Sequence, residues 1–308
     1  MKYLKLIRFP NLVLLGLMQF IFRYGFLDHQ MLVLALNDWQ YVLLVLATVF
    51  IAAAGYVIND IFDQESDAIN RPQQQIVGKS ISESAAYNIY VALNLIGVGI
   101  GFYLSNVIEK PSFATIFIFI AALLYFYATT LKGIVLLGNF VVAFILALSV
   151  LVIGVFDLYP MIFHGNQAQM KVLFSILTDY AIFAFLINFI REIIKDAEDV
   201  KGDYNQGIRT LPILFGIERT AKVIFALLLI AVALVAWYMN AYLMINELYM
   251  AVIYLLITVV APLLYTLVIS WTAKTQKEFS HLSWILKAII FFGICSILVI
   301  TYTVKNNA

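Results

Sequence analysis

The sequence predicts an all-helical, polytopic membrane protein, organised as one domain over residues 1–308. Of its 308 residues 64% are hydrophobic and only 12% are charged, whereas soluble domains carry about 25% charged residues. The mean hydropathy of +0.96 is correspondingly high. The apolar residues also occur in segments of about 20, the length that crosses about 30 Å of hydrocarbon as a helix. These observations exclude an ordinary soluble globular protein.

Nine apolar segments are long enough to span a bilayer. The division is least distinct around Lys132, where a very short turn must separate two spans, and around Asn246, where polar residues interrupt a long apolar region. Eight or ten spans therefore remain open alternatives. The predicted spans are 10–28, 39–58, 84–105, 112–130, 134–155, 171–191, 220–240, 246–270 and 282–303.

The basic residues predict the orientation of these spans. With the N-terminus in the cytoplasm, fifteen of the 19 Lys and Arg residues fall on the inner side and four on the outer side. Basic residues prefer cytoplasmic loops, so we expect a multi-pass cell-membrane protein with a cytoplasmic N-terminus. The single cysteine, Cys295, excludes an intrachain disulfide and a multi-cysteine metal site. No nucleic-acid partner is expected.

Two acidic stretches stand out against this apolar background. Half of the 18 acidic residues lie within 60–67 and 192–203. Each stretch has the pattern D-x-x-D-x-x-x-D, and helical residues three and seven apart lie within an arc of about 60°. Each pattern therefore directs three carboxylates the same way. The residues are Asp60, Asp63 and Asp67 in the first stretch and Asp196, Asp199 and Asp203 in the second, all offset by the same 136 positions.

The predicted topology places both acidic stretches on the cytoplasmic side, because an even number of spans separates them. Three clustered carboxylates repel one another unless cations lie between them, and hard oxygen ligands of this kind suit Mg²⁺ bridged to phosphate oxygens. In the sixth span Asn188 and Glu192 extend the second stretch as a polar stripe, flanked by Arg191 and Lys195. Such a stripe is typical of a cavity wall. We expect a magnesium-dependent phosphate site.

These stretches resemble a known family. Asn59-Asp60-x-x-Asp63-x-x-x-Asp67, followed by Arg71-Pro72, is similar to the first signature of the UbiA superfamily of intramembrane prenyltransferases, and Asp196-x-x-Asp199-x-x-x-Asp203 to the second. Tyr127 and Lys132, followed by Gly138-Asn139, resemble a third, shorter signature. The run from Arg191 to Pro212 looks most like the members that modify glycerol-phosphate lipids. After Pro72 the sequence departs from the usual second Pro and Ser-Gly.

The resemblance implies a bundle around a central cavity, with a polyprenyl chain in an apolar tunnel and its diphosphate at the cytoplasmic mouth. It implies ionisation to an allylic carbocation and transfer of the prenyl group, expected to be geranylgeranyl, to the hydroxyl of a prenylglyceryl phosphate. Asp63, Asp67, Asp199 and Asp203 are the expected catalytic residues. The expected Mg²⁺ ligands are these four with Asn59, Asp60 and Asp196, and the expected substrate contacts are Lys132, Arg191, Arg71, Tyr127 and Asn188.

Other interpretations compete with this one. The acceptor could instead be an aromatic or quinone precursor of the 4-hydroxybenzoate, homogentisate or naphthoate type. The acidic helix ends could be solvated caps, Lys132 a basic turn residue, Arg191 a salt-bridge partner of its neighbours and Tyr127 a packing aromatic. A divalent-cation or phosphate-lipid transporter would also need acidic residues, but transporters place such sites near the bilayer midplane on broken helices. Here the acidic residues lie at the membrane rim.

Overall fold

The computed structural model describes residues 1–70, 72–73, 75–205 and 207–307. Over these residues the chain is helical, and nine helices are long and apolar enough to cross a membrane. This confirms the predicted all-helical membrane fold. The helices are α1 (Phe9–Gln30), α2 (Asp38–Phe62), α3 (Glu83–Val107), α4 (Pro111–Thr129), α5 (Leu137–Met161), α6 (Gln167–Asn205), α7 (Ile217–Met244), α8 (Tyr249–Ser270) and α9 (Gln276–Asn306).

Short helices connect or extend these spans, at Lys2–Leu6, Gln64–Asn70 and Leu211–Phe215. Three of the spans contain a π-helical segment, at Gly154–Leu158 in α5, Met239–Met244 in α7 and Leu256–Val260 in α8. The segment in α8 ends two residues before Pro262, whose missing N–H removes a helical hydrogen bond. The only β-pairing in the described residues is an isolated bridge between Val77 and Ile81.

Helix starts follow local chemistry. The Asn37 side chain accepts a hydrogen bond from the Gln40 backbone N–H, and the Gln40 side chain accepts one from the Asn37 N–H, which together form a capping box for α2. Ser82 caps α3 by accepting from the Ala85 N–H. Such caps satisfy backbone donors that have no partner within the helix.

Helix α6 is the longest, with 39 residues. The predicted sixth span, 171–191, covers its apolar part, whereas the helix continues through the charged residues to Asn205. One half of α6 packs in the cluster around Leu173 and Leu177, and the other half in the cluster around Ile187 and Ile190. Helix α6 therefore joins the two large hydrophobic clusters of the bundle.

A buried ion pair fastens the bundle at the end opposite the acidic stretches. Arg23 of α1 is 4% exposed and Asp157 of α5 is fully buried. Arg23 Nε lies 2.9 Å from Asp157 Oδ2. Both side chains also bind Leu36, because Arg23 Nη2 donates to its carbonyl at 2.9 Å and its N–H donates to Asp157 Oδ1 at 3.0 Å. The α1–α2 connection is thereby tied to α5.

Close contact between α2 and α3 depends on Gly97, as its place in a Gly97-x-x-x-Gly101 pattern predicts. A Cβ atom added at Gly97 would lie 2.7 Å from Ile51 Cγ1 and 3.1 Å from the Ala47 carbonyl oxygen. The second of these atoms is backbone and cannot rotate away. Gly99, in the same helix, has nothing within 4 Å of such a Cβ atom.

We therefore expect Gly97→Val to lower the thermal unfolding temperature in detergent, with a loss of about 1–3 kcal/mol from overpacking. The matched Gly99→Val variant should unfold within a degree or two of the wild type, because its side chain points into open space. Equal unfolding temperatures for the two variants would contradict this account of the α2–α3 contact.

Candidate functional site

The first acidic stretch begins in the last turn of α2 and continues into the short helix Gln64–Asn70. Helical hydrogen bonds persist across the junction, because the Asp63 N–H donates to the Asn59 carbonyl at 2.9 Å and the Asp67 N–H donates to the Asp63 carbonyl at 2.8 Å. Asn59, Asp63 and Asp67 therefore keep the spacing of one helical face.

Asp63 is the centre of this first stretch and is 8% exposed. Its Oδ2 accepts from Asn59 Nδ2 at 2.6 Å and from Lys132 Nζ at 2.5 Å. Burial lowers the pKa of Lys132, but the adjacent Asp63 carboxylate outweighs this effect and the pKa lies above its usual value. Lys132 is therefore a protonated ammonium at neutral pH.

A tight turn brings Lys132 to this position. The 3₁₀ segment Leu131–Gly133 connects α4 and α5, as the sequence predicts for the region around Lys132. Gly138, in the first turn of α5, packs against this segment so closely that an added Cβ atom would lie 3.0 Å from Lys132 Cα. Tyr127 also lies beside Gly138, with Cε2 at 3.4 Å from that Cβ position. Gly138 thus permits the turn to fold back over Asp63.

The second acidic stretch forms the charged end of α6. Asp196 Oδ2 accepts from Asn139 Nδ2 of α5 at 2.8 Å. Glu192 is 8% exposed, and its Oε1 lies 2.5 Å from Lys195 Nζ and 3.6 Å from Arg191 Nη1. The predicted pairing of Arg191 with a neighbouring carboxylate is therefore present, although the contact is long.

The two stretches meet. The helix Gln64–Asn70 packs against α6, and Ser66 Oγ donates to Asp203 Oδ1 at 3.4 Å. Ser66 and Asp203 are both buried, at 4% exposure each. Ser66 and Asp203 are 137 positions apart in sequence, and their contact brings the two stretches into one acidic centre at one end of the bundle.

The donor set of this centre fits Mg²⁺. Asn59 Oδ1 is buried and has no hydrogen-bond partner, so this hard oxygen beside Asp63 is available to a cation. Among the described residues, no group of three His, Cys, Asp or Glu side chains could hold a metal ion without other ligands. Magnesium sites commonly use one or two carboxylates together with water and substrate phosphates. The centre therefore suits a cation that arrives with a phosphorylated ligand.

Of four other predicted site residues, the three that the structure describes lie in different surroundings. Asp60, predicted as a ligand, is paired with Arg8, whose Nη2 lies 3.0 Å from Asp60 Oδ1. Asn188 donates from Nδ2 to the Ala184 carbonyl at 2.8 Å. Arg191 has a buried Nε without a hydrogen-bond partner. Arg71 lies outside the described residues.

Three contributors, Arg8, Ser66 and Asn139, were not among the predicted site residues. Arg8 directly precedes the start of α1, 52 positions from its partner Asp60, and no sequence pattern links the two. Ser66 lies within the first acidic stretch, but a lone serine there carries no metal-binding signal. Asn139 was part of the third signature, and its contact with Asp196 explains why an amide follows Gly138.

An elongated cavity, here called the first cavity, leads away from the acidic centre between α1, α2, α4 and α5. The end of the cavity near the acidic centre, here called the upper end, is lined by Asn59, Tyr127 and Arg191. The opposite or lower end is lined by Thr48 and Phe117. Asn59 and Thr48 are eleven residues apart in one helix, a distance of about 16 Å at 1.5 Å per residue. Its wall between these ends is mostly apolar.

The sequence profile of the UbiA prenyltransferase family matches residues 31–293. The chain therefore belongs to the UbiA prenyltransferase family, as its acidic stretches predict. It is 35% identical over 197 residues to the digeranylgeranylglyceryl phosphate synthase of Methanobrevibacter smithii, and the match covers 64% of this chain and 66% of that protein, just under two thirds. The protein of the same name from Saccharolobus solfataricus is 32% identical over 233 residues, with 74% and 75% covered.

A solved structure shares the fold. The UbiA homologue from Archaeoglobus fulgidus, bound to DMAPP and Mg²⁺, matches with a TM-score of 0.62 and 20% sequence identity. The alignment covers 96% of this chain and 99% of the homologue. The chain thus shares the fold of this homologue over nearly its whole length.

The contact between the two acidic stretches can be tested without an activity assay. With Cys295→Ser as background, we expect the Ser66→Cys/Asp203→Cys variant to form a disulfide under mild oxidation, because the parent side chains touch. Peptide mapping by mass spectrometry would detect the linked pair. The control pair Ser66→Cys/Lys201→Cys should stay reduced, since Lys201 is exposed on another face of α6. Linkage of the control pair but not of the first would refute this arrangement.

Proposed function

We propose that this protein transfers a polyprenyl group, geranylgeranyl in our assignment, from its diphosphate to the hydroxyl of a prenylglyceryl phosphate. The observation that carries this proposal is the meeting of two acidic stretches beside Lys132, at the mouth of an apolar cavity. A polar centre at one end suits a diphosphate, and an apolar cavity suits a prenyl chain. The relatives named digeranylgeranylglyceryl phosphate synthase support the choice of acceptor.

The residues that would hold Mg²⁺ are Asn59, Asp63 and Asp67 from the first stretch and Asp196, Asp199 and Asp203 from the second. When bound, Mg²⁺ supplies the positive charge that lets an anionic diphosphate approach acidic side chains. The DMAPP and Mg²⁺ bound to the Archaeoglobus fulgidus homologue support this choice of metal and ligand. Asp60 acts by holding Arg8 in the wall of the cavity.

Cationic side chains stabilise the leaving group. Lys132 lies beside Asp63 as a point charge, and Arg191 lines the cavity with a buried N–H that has no partner. Both can donate to the diphosphate oxygens as negative charge develops there. The allylic C–O bond breaks, diphosphate leaves with the electron pair, and the allylic carbocation remains in the first cavity. Tyr127 borders the upper end of this cavity.

The acceptor hydroxyl then forms the new bond. Its oxygen donates an electron pair to the allylic carbon, and its proton passes to the released diphosphate. Because an allylic cation is a strong electrophile, no strongly basic side chain is required. The surrounding apolar wall keeps water from competing with the acceptor.

We further propose that the acidic centre faces the cytoplasm. Fifteen of the 19 Lys and Arg residues lie on that side of the predicted topology, and basic residues favour cytoplasmic loops. This orientation gives the centre access to cytoplasmic Mg²⁺ and to water-soluble diphosphate product.

An acceptor screen tests the proposal. Purified protein with geranylgeranyl diphosphate and Mg²⁺ should alkylate geranylgeranylglyceryl phosphate, and excess chelator should abolish the reaction until Mg²⁺ is restored, as mass spectrometry of the lipid product would show. Prenylation of 4-hydroxybenzoate, homogentisate or a naphthoate in place of the lipid would overturn the acceptor assignment. Ion flux in proteoliposomes without diphosphate release would overturn enzymatic function.

The carboxylate assignment predicts the effect of single substitutions. Asp63→Asn and Asp199→Asn should each lower kcat by at least about a hundredfold, because an amide holds a cation far less well than a carboxylate. Steady-state kinetics on membrane-inserted, monodisperse protein would measure this. Asp38→Asn, at the other end of α2, serves as the control and should retain normal turnover. Near-normal turnover of either acidic-centre variant would remove that residue from the proposed site.

A further inference from the structure

A second elongated cavity runs beside the first. It lies between α1, α5, α6 and α9, with Asn188, Arg191 and Lys287 at its upper end and Phe22 and Tyr180 at its lower end. The acidic stretches lie beside the first cavity and contribute no side chain to the described lining of the second. The second cavity therefore meets the reaction centre from a different direction.

The two cavities share a wall. Six residues line both, and they come from four helices or helix ends. Those six are Asn11, Leu15, Tyr56, Leu146, Ser149 and Arg191. Arg191 is the charged member of this set, so a ligand at the upper end of either cavity lies within reach of the same guanidinium.

The cavities are also matched in length. Tyr180 and Arg191 line the second cavity and are eleven residues apart in α6, which is about 16 Å along the helix. The first cavity has the same span between Thr48 and Asn59 in α2. Two neighbouring, mostly apolar cavities of similar extent along their helices suit two chains of similar length. An aromatic acid would occupy only the upper end of the second cavity.

The charges of the second cavity differ from those of the first. Its described lining contains the cations Arg191 and Lys287 and no carboxylate, whereas the lining of the first cavity contains Glu192 together with Arg8, Arg191 and Lys195. Lys287 Nζ donates one hydrogen bond to Asn11 Oδ1 at 2.6 Å, which leaves two N–H groups for a ligand. The nearest acidic neighbour of Arg191 is Glu192, at 3.6 Å from Nη1.

Two cations inside a membrane helix bundle are expensive unless an anion compensates them. A diphosphate, with its higher charge, suits the carboxylate-rich centre together with Mg²⁺. A single phosphate suits Arg191 and Lys287 together, because Arg can bind it through two N–H groups and Lys as a point charge. The two cavities thus differ in the anion that each can accept.

We infer that the second cavity is the acceptor site, with the single phosphate of a prenylglyceryl phosphate held by Lys287 and Arg191 and its prenyl tail packed between α1, α6 and α9. This inference rests on the proposed function. Binding there brings the acceptor hydroxyl to the shared upper end, beside the allylic carbon of the donor. After the bond to diphosphate has broken, the acceptor oxygen bonds to the allylic carbon and its proton passes to the released diphosphate. The two-chain product then occupies both cavities.

Substitution of Lys287 tests the phosphate contact. With geranylgeranylglyceryl phosphate, Lys287→Met should raise the acceptor KM by about tenfold or more, because a hydrogen bond to a charged group is lost. The KM for geranylgeranyl diphosphate should change less than twofold, which also shows that the variant is folded. With dephosphorylated geranylgeranylglycerol, variant and wild type should be equal. The control Lys277→Met, at an exposed position of α9, should match the wild type throughout.

An unchanged acceptor KM, an equal rise with the dephosphorylated acceptor, or a rise in the donor KM would each overturn the inference. Failure of the proposed function looks different, since the wild type itself would then alkylate an aromatic acid and leave geranylgeranylglyceryl phosphate unmodified.

A reciprocal pair of cavity-filling variants tests the tail. Ala184 lines only the second cavity and Val142 only the first. Ala184→Phe should raise the acceptor KM and leave the donor KM within twofold, and Val142→Phe should do the opposite. The reverse pattern, or equal effects of both variants on both substrates, would overturn the assignment of the two cavities.

Discussion

The negative charge of the clustered carboxylates must be compensated, and the rest of the structure depends on this constraint. Acidic residues of two remote segments are concentrated at one end of an apolar bundle, where uncompensated charge is costly. Lys132 lies against Asp63, Arg8 against Asp60, and Asn139 against Asp196. The α4–α5 turn, the start of α1 and the start of α5 are therefore held where they are by the acidic centre. Part of the same compensation can be taken over by a metal ion and its phosphate ligand.

The fold was predictable from the sequence because a bilayer imposes a simple length rule on apolar segments. All nine predicted spans correspond to helices in the structure. The rule failed at the end of α6, where the helix continues to Asn205 through charged residues. Hydropathy records where apolar residues stop, whereas a helix ends only where its backbone hydrogen bonds end.

The candidate site was predictable only in part. The acidic residues are visible because their spacing matches a helical face, and the topology places both stretches at one end. The pairing of Arg8 with Asp60 and the contact of Ser66 with Asp203 depend on how distant helices pack. No periodicity records such contacts, and the role of each site residue remains a prediction. Lys132 was predicted to touch substrate, and its contact with Asp63 also balances the charge of that carboxylate.

Helix α6 connects the features of the site. It carries the second acidic stretch at one end, contributes Arg191 to both cavities, and packs in both large hydrophobic clusters. A displacement of this helix would move the second acidic stretch and change the shapes of both cavities together. One helix thus forms part of the wall of each cavity.

The ion pair of Arg23 and Asp157 limits which substitutions could deepen the first cavity of this protein. Phe117, at the lower end of the first cavity, packs on Phe156 with ring centroids 5.4 Å apart, and Phe156 directly precedes Asp157. Removing Phe117 to deepen the cavity would remove this ring contact at the residue next to the buried ion pair. A variant that accepts a longer prenyl chain would then have lower thermal stability. Such a variant would need a stabilising substitution elsewhere in the chain.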